Sequence, residues 1–267
     1  MASPPLPRLL VLIGLPVLAS CAAFERARDP SAPEGPDWLV EYRESSYRAQ
    51  GTELGDATGT DELLTAARTT GMLLLGDLHQ DVMLHALHRS LIARLNEQDT
   101  PVVLVLEALA SQDDEHTTAY LNDELTIEEL RERIASRWPR SWLEPSRSWD
   151  YLAWRSMLRT AKANEWPVYG LEEAPRRPLL ERDELIAMNL RSLRSRHPDR
   201  LVVAILGQAH LAGEGTVGDR LADDAVRVLV RPSTALEEAA SDEESEKPFS
   251  NLPALGQRAF LLRPSRF

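Results

Sequence analysis

Short apolar runs recur along the chain, and segments with helical spacing of apolar and polar residues separate them. Six runs of four to six residues stand at positions 72–75, 102–106, 168–171, 201–206, 226–230 and 259–262. Continuous apolar runs of this length are typical of strands that are buried on both faces of a parallel sheet. The runs therefore predict six strands, most of them in one sheet.

The intervening segments have the pattern of amphipathic helices. After the first run, apolar residues follow one another at steps of three and four, on one helical face: Leu84, Leu87, Leu91 and Leu95. Thr126 with Glu129 forms a capping box that predicts a helix reaching about Arg137. Two further amphipathic segments cover residues 149–163 and 182–196.

Alternation of strands and helices predicts βαβ units. The predicted fold class is α/β, with a mainly parallel central sheet, flanking helices and a helical insertion at about 108–166. That stretch is longer than one crossover needs, and it is rich in tryptophan, which would suit a flat apolar ligand. The insertion carries Trp138, Trp142, Trp149, Trp154 and Trp166.

The N-terminus predicts a lipoprotein signal peptide over residues 1–20. An apolar stretch of ten residues at 9–18 is too short to span a bilayer. Leu-Ala-Ser-Cys then resembles a bacterial lipobox, in which Cys21 is lipidated, and Ala22 after it permits sorting to the outer membrane. Cys21 is the only cysteine, so disulfides and a cysteine-ligated zinc are excluded. An alternative interpretation is an ordinary signal peptide with a chance cysteine.

Composition divides the rest of the chain. Residues 21–59 hold several prolines and glycines and predict a lipidated tether, and residues 60–267 predict a single domain with Thr60 as the N-cap of its first helix. The acidic stretch 236–248 predicts a disordered loop. The formal net charge is −12 and the pI is about 5.0, which argues against a nucleic-acid partner.

Polar residues that could carry chemistry stand where three of the predicted strands end. Gly76-Asp77-Leu78-His79 and Gly207-Gln208-Ala209-His210 each follow an apolar run, and Glu107 follows another. Because the carboxyl ends of parallel strands share one edge, we expect Asp77, His79, Glu107 and His210 to meet in one pocket there. Imidazoles with carboxylates suit a divalent metal or acid–base catalysis.

Other roles remain open for some of these residues. Asp77 could serve only to hydrogen-bond its turn, and His85 could pair with Asp81 at the surface instead of binding a ligand.

These motifs resemble the ChaN family of haem-binding lipoproteins, within the wider Tiki and erythromycin-esterase superfamily. The segments that carry the resemblance are GDLH, LVLEAL, WDY, VYGLEEAP and ILGQAHLAGEGT. His79, Glu107 and His210 match the superfamily signature, whereas Asp77 stands where the signature has a glutamate. The resemblance runs from about Thr60 to Leu229.

The resemblance implies a single α/β domain that binds haem as its cofactor, at the cell envelope, anchored in the outer membrane by lipid at Cys21. Haem ligation in the family is attributed to a tyrosine, and Tyr120 and Tyr151 are candidates here by their neighbourhood. A haem or iron transport receptor and a second copy in a homodimer remain open as partners.

Three functions follow as alternatives. The first is a haem-binding lipoprotein of iron uptake. The second is a metal-dependent hydrolase, a protease or esterase, in which His79, Glu107 and His210, with Asp77, hold a divalent metal ion or activate water. The third is a lipid-anchored domain with a degenerate site.

Overall fold

The computed structural model describes residues 52–53, 57–78, 82–134, 151–172, 179–211, 215–230 and 259–262. The predicted signal peptide, Cys21, most of the tether, His79 and the acidic stretch 236–248 lie outside the described residues.

Seven parallel strands form the centre of the domain, in the order β1-β7-β6-β2-β5-β3-β4. Their bounds are β1 Thr52–Glu53, β2 Met72–Asp77, β3 Val102–Ala110, β4 Val168–Glu172, β5 Leu201–Gly207, β6 Val226–Val230 and β7 Ala259–Leu262. Every residue of β2, β3 and β5 is buried, as expected for central strands covered on both faces.

Seven α-helices are present in the described part of the chain. They are α1 Ala57–Thr70, α2 Val82–Glu97, α3 Asp114–Leu121, α4 Ile127–Arg133, α5 Tyr151–Ala163, α6 Leu179–Arg196 and α7 Val217–Arg220. Short 3₁₀ turns, Ser111–Asp113 and Gln208–His210, follow β3 and β5. The capping box predicted at Thr126 is present, with Glu129 Oε2 accepting from the Thr126 N–H at 2.7 Å. Among the described residues, no helix is both long and apolar enough to span a membrane.

Two hydrophobic clusters lie on opposite faces of the sheet, because neighbouring residues of a strand point in opposite directions. Leu73 and Leu75 pack with residues of α1, α2 and α5, whereas Leu74 packs with residues of α6. We name these the α2 face and the α6 face. In β3, Leu104 and Leu106 belong to the α2 face and Val105 to the α6 face.

The predicted fold class is confirmed: the chain is α/β, with an all-parallel sheet, flanking helices and helices α3 to α5 in the predicted insertion. All six predicted strands are present, and four of them extend one to four residues further. Two boundaries were wrong. The helix after Thr126 ends at Arg133 rather than at about Arg137. The predicted tether contains β1 at Thr52–Glu53 and the start of α1 at Ala57, so Thr60 lies inside the first helix. The edge strand has only two residues and carries no apolar run, which is why the pattern did not reveal it.

Candidate functional site

Glu107 is a buried carboxylate at the sixth of the nine positions of β3. Alternation along the strand places its side chain on the α6 face with Val105. One of its oxygens accepts a hydrogen bond from the backbone N–H of Gly207 on the adjacent strand β5. The other accepts from Arg182 Nη2 at 3.3 Å, and Arg182 lies in the first turns of α6. Both oxygens of Glu107 are therefore hydrogen-bonded inside the protein.

His210 lies beside Glu107, at the end of the 3₁₀ turn that follows β5. Its Nε2 is 3.5 Å from Glu107 Oε1 and 3.2 Å from Arg182 Nη2. Its Nδ1 donates a hydrogen bond to Asp183, which is fully buried. Glu107, Arg182, Asp183 and His210 thus form one contiguous group, which we name the edge cluster.

The charges of the edge cluster compensate one another. Burial by itself lowers the pKa of His210, but the charge of Glu107 and the hydrogen bond to Asp183 outweigh it and raise that pKa to about 9. Arg182 Nη2 and His210 Nε2 lie 3.2 Å apart, and both lie near the same oxygen of Glu107, at 3.3 and 3.5 Å. Two cations then face two carboxylates, which is the condition under which buried charges are tolerated.

Asp77 is not brought to the edge cluster. In β2 it lies two and four residues after Leu75 and Leu73, so its side chain points with theirs to the α2 face. Its Oδ1 accepts a hydrogen bond from His85 Nε2 of α2 at 2.9 Å, with both side chains buried. The expectation that Asp77 stands beside Glu107 and His210 fails because the two carboxylates point to opposite faces of the sheet.

His85 is fully buried, so the surface pairing suggested by Asp81 is not its role. Its ring packs edge-on against Trp154 of α5, with 5.5 Å between the ring centroids. On its own helix it lies near His88, whose Nε2 is hydrogen-bonded to the carbonyl oxygen of Gly76 at 3.1 Å. We name Asp77 with His85 the Asp77–His85 pair. It joins strand β2 to α2 and, through Trp154, to α5.

The sequence did not predict two members of the edge cluster. Arg182 and Asp183 stand in a segment recognised only as amphipathic. A signal for Asp183 was present: it precedes Ile186, Ala187 and Leu190 at helical spacing, so an acidic residue occupies the first position of the buried stripe.

No group of three or more His, Cys, Asp and Glu side chains within the described ranges is arranged to hold a metal ion. The predicted metal ligands are separated: Glu107 and His210 lie on the α6 face, Asp77 lies on the other, and His79 is outside the described residues. The residues that are described do not fit the predicted divalent metal.

A groove of about 220 Å³ lies elsewhere in the domain, and both candidate tyrosines line it. We name it the tyrosine groove; its walls are Tyr120, Ile127, Tyr151, Leu152, Arg155 and Arg159. These residues come from α3, α4 and α5, the helices of the predicted insertion.

Cations flank both tyrosines of the groove. Arg155 lies 5.7 Å from the centre of the Tyr151 ring and pairs with Glu128 at 3.1 Å. Lys162 lies 4.5 Å from the centre of the Tyr120 ring. Tyr120 is buried, and burial raises the pKa of its phenol group. Tyr151 is half-buried, so its phenol is the more accessible of the two.

Comparison with known proteins finds one family that part of the chain resembles. A family model described as haem-binding uptake, Tiki superfamily, ChaN matches residues 63–178. This match confirms the resemblance inferred from the motifs, and that stretch contains Asp77, Glu107 and the tyrosine groove. No curated protein matches the chain significantly.

Several solved structures are similar. The type III effector HopBA1 is 15% identical, with a TM-score of 0.47, over 69% of this chain and 87% of that one. ChaN of Campylobacter jejuni, described with cofacial haem binding, is 13% identical, with a TM-score of 0.42, over 65% of this chain and 86% of that one. The RRSP effector domain of a MARTX toxin from Vibrio vulnificus is 18% identical, with a TM-score of 0.38, over 64% of this chain and 36% of that one.

Proposed function

We propose that this protein is a haem-binding lipoprotein of the ChaN type that serves haem or iron uptake at the cell envelope. The family match over residues 63–178 supports the ligand, because the matched family is described by haem-binding uptake. The observation in the structure that carries the proposal is the tyrosine groove, in which phenol, guanidinium and aliphatic side chains stand together.

The side chains of the groove fit the chemistry of haem. Ile127 and Leu152 offer apolar contact to the macrocycle, and Leu152 is 55% exposed, so a ligand can reach it. Arg155 and Arg159 offer guanidinium groups to the propionates. At about 220 Å³ the described groove is smaller than the roughly 300–1,000 Å³ of most ligand pockets, so it would hold one edge of haem rather than enclose it.

Tyr151 is the tyrosine that we assign to the iron. When bound, haem supplies an iron that accepts a phenolate as axial ligand. Tyr120 is less suited, because it is buried and burial opposes loss of its proton. Tyr151 is half-buried and lies at the start of α5 at the groove wall, with the guanidinium of Arg155 5.7 Å from the centre of its ring.

The test is a haemin titration of the full chain purified in detergent without added haem. We expect saturable binding with the absorbance spectrum of a tyrosinate-ligated ferric haem. Tyr151→Phe should remove that spectrum, and Arg159→Ala should weaken binding several-fold without changing the spectrum.

Tyr169→Phe is the matched control. Tyr169 lies on β4, and its hydroxyl contacts His197 Nε2 at 3.1 Å, away from the groove. Titration curves that are identical for the wild type, Tyr151→Phe and Tyr169→Phe would contradict the assignment of Tyr151. Absence of saturable binding by the wild type would contradict the proposed function itself.

Location and partners form a second part of the proposal. We infer that Cys21 carries the lipid that anchors the protein in the outer membrane, supported by the lipobox-like Leu-Ala-Ser-Cys segment. Labelled palmitate should enter the wild type and not Cys21→Ser, and equal labelling of the two would refute the anchor. A haem or iron transport receptor and a second copy of the chain are the partners that this role implies.

The metal-dependent hydrolase has less support from the geometry. Glu107 is bonded to Arg182 and to the backbone of β5, and His210 is bonded to Asp183, so both side chains are already engaged within the protein.

A further inference from the structure

The most informative feature that the proposed function does not use is the position of Arg182 in the edge cluster. Its Nη2 lies 3.3 Å from Glu107 Oε1 and 3.2 Å from His210 Nε2, almost equally far from a carboxylate and an imidazole. All three side chains are almost entirely buried.

The two atoms that flank Arg182 have the spacing of two ligands of one metal. Glu107 Oε1 and His210 Nε2 are 3.5 Å apart. Ligands of a tetrahedral zinc at bonds of about 2.1 Å are separated by about 3.4 Å. The remaining nitrogen of His210 is bonded to Asp183, which is the carboxylate–imidazole arrangement that orients metal-ligating histidines.

The charge, however, is already supplied. Arg182 pairs with Glu107 at 3.3 Å and lies 3.2 Å from His210, so a positive charge already stands beside both side chains. A divalent ion at the same place would stand close to the guanidinium, a strong like-charge repulsion in a buried site. The cluster is therefore complete without a metal.

We propose that Arg182 is a built-in cation that occupies the place of a divalent metal between Glu107 and His210. The guanidinium joins α6 to the carboxyl edge of β3 and β5 and makes the edge cluster independent of metal. Removing the guanidinium uncovers a latent zinc site formed by Glu107 and His210, with Asp183 orienting the imidazole.

Zinc binding and thermal unfolding of the untagged full chain test this inference. For the wild type we expect no change in Tm on adding Zn²⁺ and no zinc retained after gel filtration. Arg182→Ala should have a lower Tm in chelator, retain about one zinc, and recover several degrees of Tm when Zn²⁺ is added. Arg182→Ala with His210→Gln should show neither effect.

Controls separate this effect from adventitious binding. Arg191→Ala removes an arginine from the exposed side of the same helix, where Arg191 pairs with Asp224, and should behave like the wild type. If Arg182→Ala does not fold, Arg182→Met supplies an uncharged side chain of similar length for the same measurements. A Tm of the wild type that rises with Zn²⁺, and does so only when His210 is present, would overturn the proposal. Folded Arg182→Ala that retains no zinc would overturn it as well.

Discussion

The two faces of the sheet each bury an imidazole bonded to a carboxylate, but they stabilise it differently. On the α2 face the Asp77–His85 pair is surrounded by aromatic and apolar side chains, with Trp154 edge-on to the imidazole. On the α6 face His210 belongs to a cluster of four charged groups that includes Arg182 and Glu107. The same chemical pair is thus packed into the core on one side and held in a charge network on the other.

The difference shows how the environment sets the role of a histidine. His210 is held as a cation by two carboxylates, and its bonds tie α6 to the strand ends. His85 bonds the carboxylate of Asp77 and packs against the rings of Trp154 and His88, so hydrogen bonding and packing account for its position. The effects of mutations should therefore be electrostatic on the α6 face and mainly steric on the α2 face.

The largest effect is expected for Glu107→Ala. The substitution leaves Arg182 and protonated His210 buried together without their shared acceptor. Breaking a buried charge cluster in this way costs about 3–5 kcal/mol of unfolding free energy, measurable by urea denaturation. Arg191→Ala breaks an exposed ion pair and should cost no more than about 1 kcal/mol. Equal losses for the two variants would show that the cluster is not the electrostatic centre described here.

The pH dependence of stability should give the next largest difference between the two faces. The pKa of His210 is raised to about 9 in the folded protein, above its ordinary value of 6.5, so the folded state holds this proton more tightly. The resulting stability is fully present below pH 6.5 and is lost as pH rises through about 9. Between pH 6.5 and about 9, the urea concentration at the midpoint of unfolding should fall more steeply for the wild type than for His210→Gln. Parallel curves for the two proteins would mean that His210 does not carry the charge.

A matched pair of substitutions compares the two carboxylates directly. Asp183→Asn removes the charge that faces protonated His210 and should cost about 2–3 kcal/mol of unfolding free energy. Asp77→Asn keeps an oxygen that accepts from His85 and should cost about 1 kcal/mol. Urea denaturation at pH 7 measures both. If Asp77→Asn is the more damaging variant, the α2 face also depends on charge and the comparison fails.

The smallest effect concerns Asp114 at the β4 side of the sheet. Burial raises its pKa to about 6, against the lowering effect of the 2.6 Å hydrogen bond that it accepts from the Gly170 N–H. Stability from its protonated form is complete below pH 3.8 and is lost as pH rises through about 6. Asp114→Asn keeps the acceptor without the charge, so a small gain in stability is expected at pH 7 and none below pH 4. A loss of stability at pH 7 would show that the negative charge is useful.

The sequence by itself determined the sheet and the meeting of two site residues. Apolar runs long enough to be buried on both faces identified six strands, and parallel strands must end at one edge. Glu107 and His210 could therefore be placed together although they are far apart in the chain, and their atoms lie 3.5 Å apart.

Only the tertiary structure decided which face each side chain enters and what it meets there. Asp77 lies at the end of β2 and Glu107 lies in β3. The face that each side chain enters depends on its position in the alternation along the strand, and the helix that covers that face decides its partners. Arg182 and Asp183 had no distinctive local pattern as a pair, because their meaning comes from where α6 crosses the strand ends. Periodicity along the chain does not encode long-range packing. That packing brought Arg182 and Asp183 to the two predicted site residues and so formed a cluster of four charged side chains.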